Sequence, residues 1–253
     1  PAFANAGANL NTLVSQNGLG PIYFGKKYGF ISASTDPNTV FNDPNCDGVV
    51  ICTRHDSHAN LVINSLKLNK HVFVEKPLCL NEGELNEIKS VYNGESLLMV
   101  GFNRRFAPIV IRLKSILEKF KGPIAFNYTC NAGFVPSSHW TQDPKVGGGR
   151  LLGEACHFVD LLRFLSDSPI HKINLMSARD IKSCPDTFSL QIKFLNGSIG
   201  TINYASNGSK SYPKERLEVY CDSSVIVLDN FKNLRAWGLK GFSKINSYNQ
   251  NKG

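Results

Sequence analysis

Two side chains in this sequence carry a titratable nitrogen and lie in a sequence context that is suited to proton transfer. Lys76 lies in Glu75-Lys76-Pro77, directly after the apolar run His71-Val72-Phe73-Val74. A lysine amine accepts a proton near neutral pH where its surroundings disfavour the ammonium form. His157 is the second candidate, because imidazole changes its charge in the physiological range. Lysines are mostly exposed, so Lys76 taken without its motif is better explained as a surface residue at a strand end.

Acidic side chains flank His157 at helical spacing. Glu154 precedes it by three residues and Asp160 follows it by three, so all three lie on one side of a helix. Glu154 is therefore a candidate partner of His157 in proton transfer. Asp160 has a structural alternative, which is to hold Arg163 or the helix itself.

A first half that alternates strands and helices carries these candidates. Asn81 followed by Glu84 predicts an N-cap with its capping-box partner, opening a helix through Ser90. Strand-helix repetition with short connections is typical of a parallel sheet covered on both faces. Apolar patterning predicts strands at 10–14, 49–52, 71–74 and 97–101, and helices at 22–28 and 57–68.

Polar segments follow three of these strands. They are Thr53-Arg54-His55, Glu75-Lys76-Pro77 and Phe102-Asn103-Arg104-Arg105. Ligands of open α/β sheets bind beyond the carboxyl ends of the strands. We therefore expect a ligand site formed by these three segments.

The second half has a different pattern. A helix at about 106–120 leads to Gly122-Pro123, which predicts a boundary between domains 1–121 and 122–253. Asn196-Gly197 predicts a hairpin turn. The fold class is thus a Rossmann-type α/β parallel-sheet domain followed by an α+β domain on a mostly antiparallel open sheet. Its predicted strands are 124–130, 173–178, 187–194, 198–205, 217–221 and 225–228, with one helix at about 153–165.

Composition narrows the function classes. The net charge of +8 has two interpretations, attraction to anions such as phosphates or a solvated basic surface, and the second is preferred. The basic residues are spread along the chain, which disfavours nucleic-acid binding. No apolar run spans a bilayer and the first residues lack a signal peptide, so no membrane association is predicted. Seven dispersed Cys without a C-x-x-C pair favour reduced thiols, a cytoplasmic setting and no structural zinc.

The motifs together resemble the glucose-fructose oxidoreductase and inositol dehydrogenase (Gfo/Idh/MocA) family. The resemblance covers nearly the whole chain, and a lone Glu-Lys-Pro would be a weak signal. His139-Trp140 and the glycine-rich segment resemble members fused behind an alcohol-dehydrogenase-like domain, so such a domain is expected upstream. The residues that carry the resemblance are 49–53 with His58, Lys70 to Leu78, Gly101 to Phe106, and Gly147 to Asp160.

The resemblance implies a fold, a cofactor and a reaction. A Rossmann domain would hold NAD or NADP, and a sheet domain would supply substrate contacts and a homo-oligomer interface. Hydride would pass between a sugar or polyol carbinol and the nicotinamide, with Lys76 as the catalytic lysine and His157 and Glu154 assisting. The implied cofactor contacts are Ser15, Cys52, Thr53, Arg54, His55, His58, Glu75, Lys76 and Asn103, and the substrate contacts are Arg104, Trp140, His157 and Asp160.

Three departures from the family pattern qualify this expectation. The first strand and the G-x-G-x-x-G/A loop do not occur in the sequence, and Pro1 to Gly7 fits the end of the helix after that loop. The given chain is therefore expected to bind cofactor poorly. Ser15-Gln16-Asn17 contains neither an acid for NAD nor an Arg for NADP, so both cofactors stay open. Gly153 stands where many members carry an acid.

Alternative functions and roles follow from the same residues. Gly153 favours a second interpretation, a nucleotide-binding regulatory or interaction subunit that has lost catalysis. A zinc hydrolase using His55, His58 and His157 is a weaker third, since no paired carboxylate motif supports it. Trp140 is equally suited to stack on a sugar or to fill the sheet interface.

Overall fold

The computed structural model describes residues 2–16, 19–178, 185–247 and 249–253. Contacts divide the chain into two units, which we describe separately. The first unit is Pro1–Thr53 with Ser57–Val100, and the second is Arg54–Asp56 with Gly101–Gly253. The segment of residues 54–56 thus packs with the second unit, although first-unit residues flank it in the sequence.

The first unit alternates short strands and helices, as its apolar patterning predicts. Asn81 and Glu84 form the predicted capping box: Asn81 Oδ1 accepts from the Glu84 amide at 2.9 Å, and Glu84 Oε1 accepts from Asn81 Nδ2 at 2.8 Å. The elements are α1 (Ala2–Asn5), β1 (Thr12–Val14), α2 (Leu19–Tyr28), β2 (Ser32–Ser34), α3 (Asn38–Phe41), β3 (Gly48–Ile51), α4 (His58–Lys67), β4 (His71–Val74), α5 (Glu82–Val91) and β5 (Leu98–Val100).

The strands of the first unit are parallel, but they form two sheets where the sequence predicts one. Strands β1 and β2 pair with each other, and β4 lies between β3 and β5. Within the described residues, no strand is hydrogen-bonded to both β1 and β3. Each of these two strands therefore has one edge without a neighbouring strand.

The predicted burial of this sheet on both faces is wrong in part. Val62, Val72 and Val74 are fully buried between the sheet and α4. In contrast, Val50 is 47% exposed and Met99 44% exposed. They alternate with the buried side chains, and α4 and α5 pack on the opposite face.

The second unit is built on one large sheet with two long helices. Its elements are α6 (Pro108–Leu117), β6 (Ala125–Asn131), α7 (Cys156–Ser166), β7 (Ile170–Ser177), β8 (Phe188–Phe194), β9 (Ile199–Ala205), β10 (Glu215–Cys221), β11 (Ser224–Asp229), β12 (Asn233–Trp237) and β13 (Lys244–Asn246). A five-residue π-helix, Leu151–Ala155, leads directly into α7. Strands β12 and β13 were not predicted from the sequence, because their apolar alternation is short.

The eight strands run in the order β13-β12-β11-β10-β6-β9-β8-β7, and β6 with β9 is the parallel pair. The other neighbours are antiparallel, which confirms the mostly antiparallel prediction. Alternating burial along β6 and β8 places one face of the sheet against the core side of α6 and α7. Gly197 has φ +87° in the turn that joins β8 to β9, as the predicted hairpin requires.

The predictions that involve Pro1, Asn17 and Cys184 fall, at those three residues, outside the described ranges. None of the six described cysteines forms a disulfide. None of the described helices has the length and apolar character that crossing a membrane requires.

Candidate functional site

Lys76 follows the carboxyl end of β4, where its backbone is held on both sides. The Glu75 amide donates to the Ile51 carbonyl at 2.9 Å, which ties the end of β4 to β3. The Pro77 carbonyl lies 2.7 Å from His58 Nδ1. The Lys76–Pro77 peptide is cis, and the Lys76 side chain is half-buried. The strand end therefore presents the Lys76 amine from a fixed main chain.

His58 joins the loops that follow two neighbouring strands. Its ring is 1% exposed, with Nε2 at 3.1 Å from the Thr53 carbonyl in addition to the Nδ1 contact with Pro77. His58 is therefore a buried residue, although it lies at the start of α4. These two contacts give it a structural part in the site, and its role in cofactor binding stays a prediction.

The other first-unit candidates lie at strand ends. Cys52 and Thr53 are exposed just beyond β3, and the Thr53 hydroxyl lies 2.6 Å from that of Ser57. Partial desolvation and the Glu75 carboxylate raise the pKa of the Cys52 thiol, so it is protonated at neutral pH. Ser15 is exposed after β1, and its amide donates to the Ser34 carbonyl at 3.2 Å. Their exposure leaves polar groups available beyond the carboxyl ends of parallel strands.

The second unit brings together three residues that the sequence analysis assigned to different ligands. His55 is buried, and the edge of its ring meets Trp140 with 4.9 Å between centroids. The Arg54 guanidinium lies over the same indole, 5.6 Å from its centroid. Arg54 and His55 were predicted cofactor contacts, and Trp140 a substrate contact. Here they form one cluster with the half-buried indole at its centre.

Glu154 and His157 lie on the π-helix and on the first turn of α7. Glu154 Oε1 pairs with Arg150 Nε at 3.0 Å, and Glu154 Oε2 accepts from the Tyr204 hydroxyl at 2.8 Å. Burial, followed by the Glu154 charge, raises the pKa of Tyr204, so this hydroxyl stays a donor. His157 is 9% exposed and meets the Phe102 ring edge-on. The carboxylate of Glu154 is thus held in place by two neighbours.

Asp160 forms an ion pair, but not with the arginine that its spacing suggests. Both Asp160 oxygens accept from Arg105, and the Arg105 Nε contact is 2.6 Å. Asp160 is 8% exposed. Its contact with Arg105 ties α7 to the turn after β5. A substrate role for Asp160 stays a prediction.

Arg104 lies in a buried polar cluster that the sequence analysis did not find. Its Nε and Nη2 each donate to Glu215 at 3.1 Å. Glu215 also accepts from Lys252 Nζ at 2.6 Å and from the Tyr128 hydroxyl. Arg104 is 8% exposed and packs on the Phe158 ring. Its guanidinium is used in these contacts, and a substrate role for Arg104 stays a prediction.

The sequence did contain a signal for this cluster. Glu215 lies at every second position of β10 together with Leu217, Val219 and Cys221. All four of these residues face the core. Burial alone would raise the pKa of Glu215, but Arg104 and Lys252 outweigh it and lower that pKa to about 2. Asn103, on the same turn as Arg104, lies beside the main chain of Gly253, with 3.4 Å between its Nδ2 and the Gly253 carbonyl. Its cofactor role stays a prediction.

Models of one protein family match both halves of the chain. Residues 5–102 match the oxidoreductase family with an NAD-binding Rossmann fold, GFO_IDH_MocA. Residues 122–227 match the GFO/IDH/MocA C-terminal domain. Within the described residues, no group of three or more His, Cys, Asp or Glu is placed to hold a metal ion.

Relatives and solved structures agree with these matches. The chain is 28% identical to the myo-inositol 2-dehydrogenase of Thermotoga maritima, over 82% of this chain and 64% of that protein. It is 25% identical to the uncharacterized oxidoreductase YrbE of Bacillus subtilis, over 78% and 59% respectively. The chain thus spans less than two thirds of these relatives. A levoglucosan dehydrogenase in complex with NADH shares the fold, with a TM-score of 0.81 at 20% identity over 94% of this chain and 70% of that chain.

Proposed function

Because the chain belongs to the GFO/IDH/MocA oxidoreductase family, we propose that the full-length protein is a nicotinamide-dependent dehydrogenase of sugars or polyols. The observation that carries the proposal is Lys76 at the carboxyl end of β4, on a main chain fixed by the Ile51 carbonyl and by His58. A fixed amine at a parallel-strand end suits a base that must meet one hydroxyl group.

The proposed reaction removes two hydrogens from one carbinol. A bound nicotinamide would supply the hydride acceptor, and Lys76 accepts the proton of the carbinol hydroxyl, so that the carbinol becomes a ketone. His157 is the second proton-handling group and binds a substrate hydroxyl. Glu154, held by Arg150 and Tyr204, places a fixed carboxylate three residues before His157.

The cofactor preference and the substrate are proposals from relatives. Exposed polar groups of Ser15, Cys52 and Thr53 at strand ends fit a dinucleotide. A relative from Bacillus subtilis, 29% identical over 59% of this chain, is named scyllo-inositol 2-dehydrogenase (NAD(+)). We propose NAD as the cofactor and a cyclic polyol or anhydro sugar as the substrate. Myo-inositol, scyllo-inositol and levoglucosan form the first assay panel.

The test replaces Lys76 in the full-length protein. Lys76→Met removes the amine but keeps an unbranched side chain, so kcat should fall by about 100-fold or more, as expected for loss of a general base. Lys67→Met, on the exposed side of α4, is the matched control and should keep full activity. Turnover by Lys76→Met at the wild-type rate would contradict the assignment.

A second candidate function is favoured by the absence of a side chain at Gly153. A subunit that binds NAD without turning over any carbinol would then use the same fold in regulation or assembly. An ideal Cβ at Gly153 would lie 3.1 Å from His55 Cε1, so the space for an acid there is already filled. Saturable cofactor binding without turnover across the panel would select this function.

A further inference from the structure

Residues 54–56 form two hydrogen bonds with a loop of the second unit, at residues 146 and 147. The Asp56 amide donates to the Val146 carbonyl at 3.1 Å. His55 Nδ1 lies 2.8 Å from the Gly147 carbonyl. A carbonyl oxygen can only accept, so this ring nitrogen carries its proton and donates. The loop therefore depends on His55 for a buried main-chain hydrogen bond.

Two glycines show how closely this loop is packed. An ideal Cβ at Gly147 would lie 2.6 Å from the Thr141 carbonyl oxygen, closer than real Cβ atoms approach. One at Gly153 would lie 3.1 Å from His55 Cε1. The loop thus rests on the turn that begins at Trp140, and the π-helix rests on the His55 ring. No side chain separates the ring from the helix backbone.

His55 therefore meets three parts of the second unit: the Trp140 indole, the Gly147 carbonyl and the π-helix at Gly153. The π-helix continues into α7, which carries His157. We propose that His55 is a positioning residue, which orients Trp140 as a platform for the C–H face of a carbohydrate ring and fixes the helix start that bears His157. The inference rests on the proposed function.

Two substitutions of His55 separate the contribution of its N–H donor from that of its aromatic ring. His55→Phe keeps an aromatic edge against Trp140 and removes the N–H, whereas His55→Asn keeps an N–H donor near the position of Nδ1. In the full-length protein, His55→Phe should raise KM for the polyol about tenfold, the effect of one lost buried hydrogen bond. The cofactor Kd should change by less than about twofold, and His55→Asn should restore most of KM.

Fluorescence gives a readout that does not need turnover. The given chain has two Trp, so Trp237→Phe leaves Trp140 as the reporter within this chain. In that background His55→Phe should shift the emission to the red as the indole gains water, and His55→Asn should not. Gly153→Ala, which adds one methyl group against the ring, should give a smaller shift in the same direction. His171→Phe, on the exposed face of β7, is the matched control and should change neither emission nor KM.

The outcomes are distinguishable. Unchanged Trp140 emission in His55→Phe would overturn the positioning role, as would a red shift with unchanged KM. A cofactor Kd that rises with KM would also overturn it, because His55 would then act on the cofactor. Absence of turnover by the wild type across the panel would refute the proposed function instead. Turnover is measured by reduction of the cofactor, whereas the orientation of Trp140 is measured by its emission.

Discussion

Removing the charge of Glu215 should destabilise the second unit strongly. Glu215 is 1% exposed and accepts from Arg104, Lys252 and Tyr128. Glu215→Gln keeps the shape of the side chain but leaves the Arg104 guanidinium buried without a counter-charge. Breaking a buried ion pair from one side costs about 3–5 kcal/mol. The free energy of unfolding should fall by that amount at neutral pH.

The pKa of Glu215 gives an independent magnitude and a pH dependence. It is lowered from 4.5 to about 2 by the folded structure, and a difference of that size corresponds to about 3 kcal/mol. Because the folded pKa is the lower one, this stabilisation is complete above about pH 4.5 and is lost as the pH falls towards 2. The Gln variant has no such group, so its deficit relative to wild type should shrink through that window.

Tryptophan fluorescence during urea unfolding measures the free energy of unfolding of the second unit. Both Trp140 and Trp237 lie in that unit. Glu218→Gln is the matched control on the same strand, where Glu218 pairs with the more exposed Arg216. Its cost should stay below about 1 kcal/mol. A Glu215→Gln cost no larger than that of Glu218→Gln would refute the reasoning, as would a deficit that is constant between pH 6 and pH 3.

Two further substitutions test local packing. Gly147→Ala should lower the free energy of unfolding of the second unit by about 1–3 kcal/mol, because its methyl group meets the Thr141 main chain. Gly122→Ala, with nothing within 4 Å of its Cβ, is the control, and equal stability of the two variants would contradict the packing argument. His58→Leu should speed amide exchange at Glu75 by about tenfold or more, because the Thr53 and Pro77 carbonyls lose their partner. Unchanged exchange in that variant would show that His58 does not hold these loops.

Local patterns predicted much of the fold. Period-2 alternation along β6 and β8, and the capping box at Asn81, act over neighbouring residues and identified their elements correctly. The separation of the parallel strands into two sheets could not be predicted in this way. Pairing between β1 and β3 depends on what lies between them in space, and strand periodicity carries no information about that.

The candidate site was predicted to a smaller extent, because side-chain partners are long-range. Motifs identified Lys76 and His157, and the structure describes their surroundings without testing their roles. Spacing suggested Arg163 for Asp160, whereas the partner is Arg105, 55 residues away. The pairing of His55 with Gly147, 92 residues apart, has no sequence signal except an unusual run of glycines.

Transfer of deuterium to the cofactor tests the central claim most directly. The full-length protein would be incubated with oxidised nicotinamide cofactor and each polyol or anhydro sugar of the panel, deuterated at its carbinol carbons. Mass spectrometry of the reduced cofactor should find the deuterium on the nicotinamide with at least one substrate, and about 100-fold less of it after the same incubation with Lys76→Met. Cofactor binding by the wild type without deuterium transfer from any substrate would contradict the account.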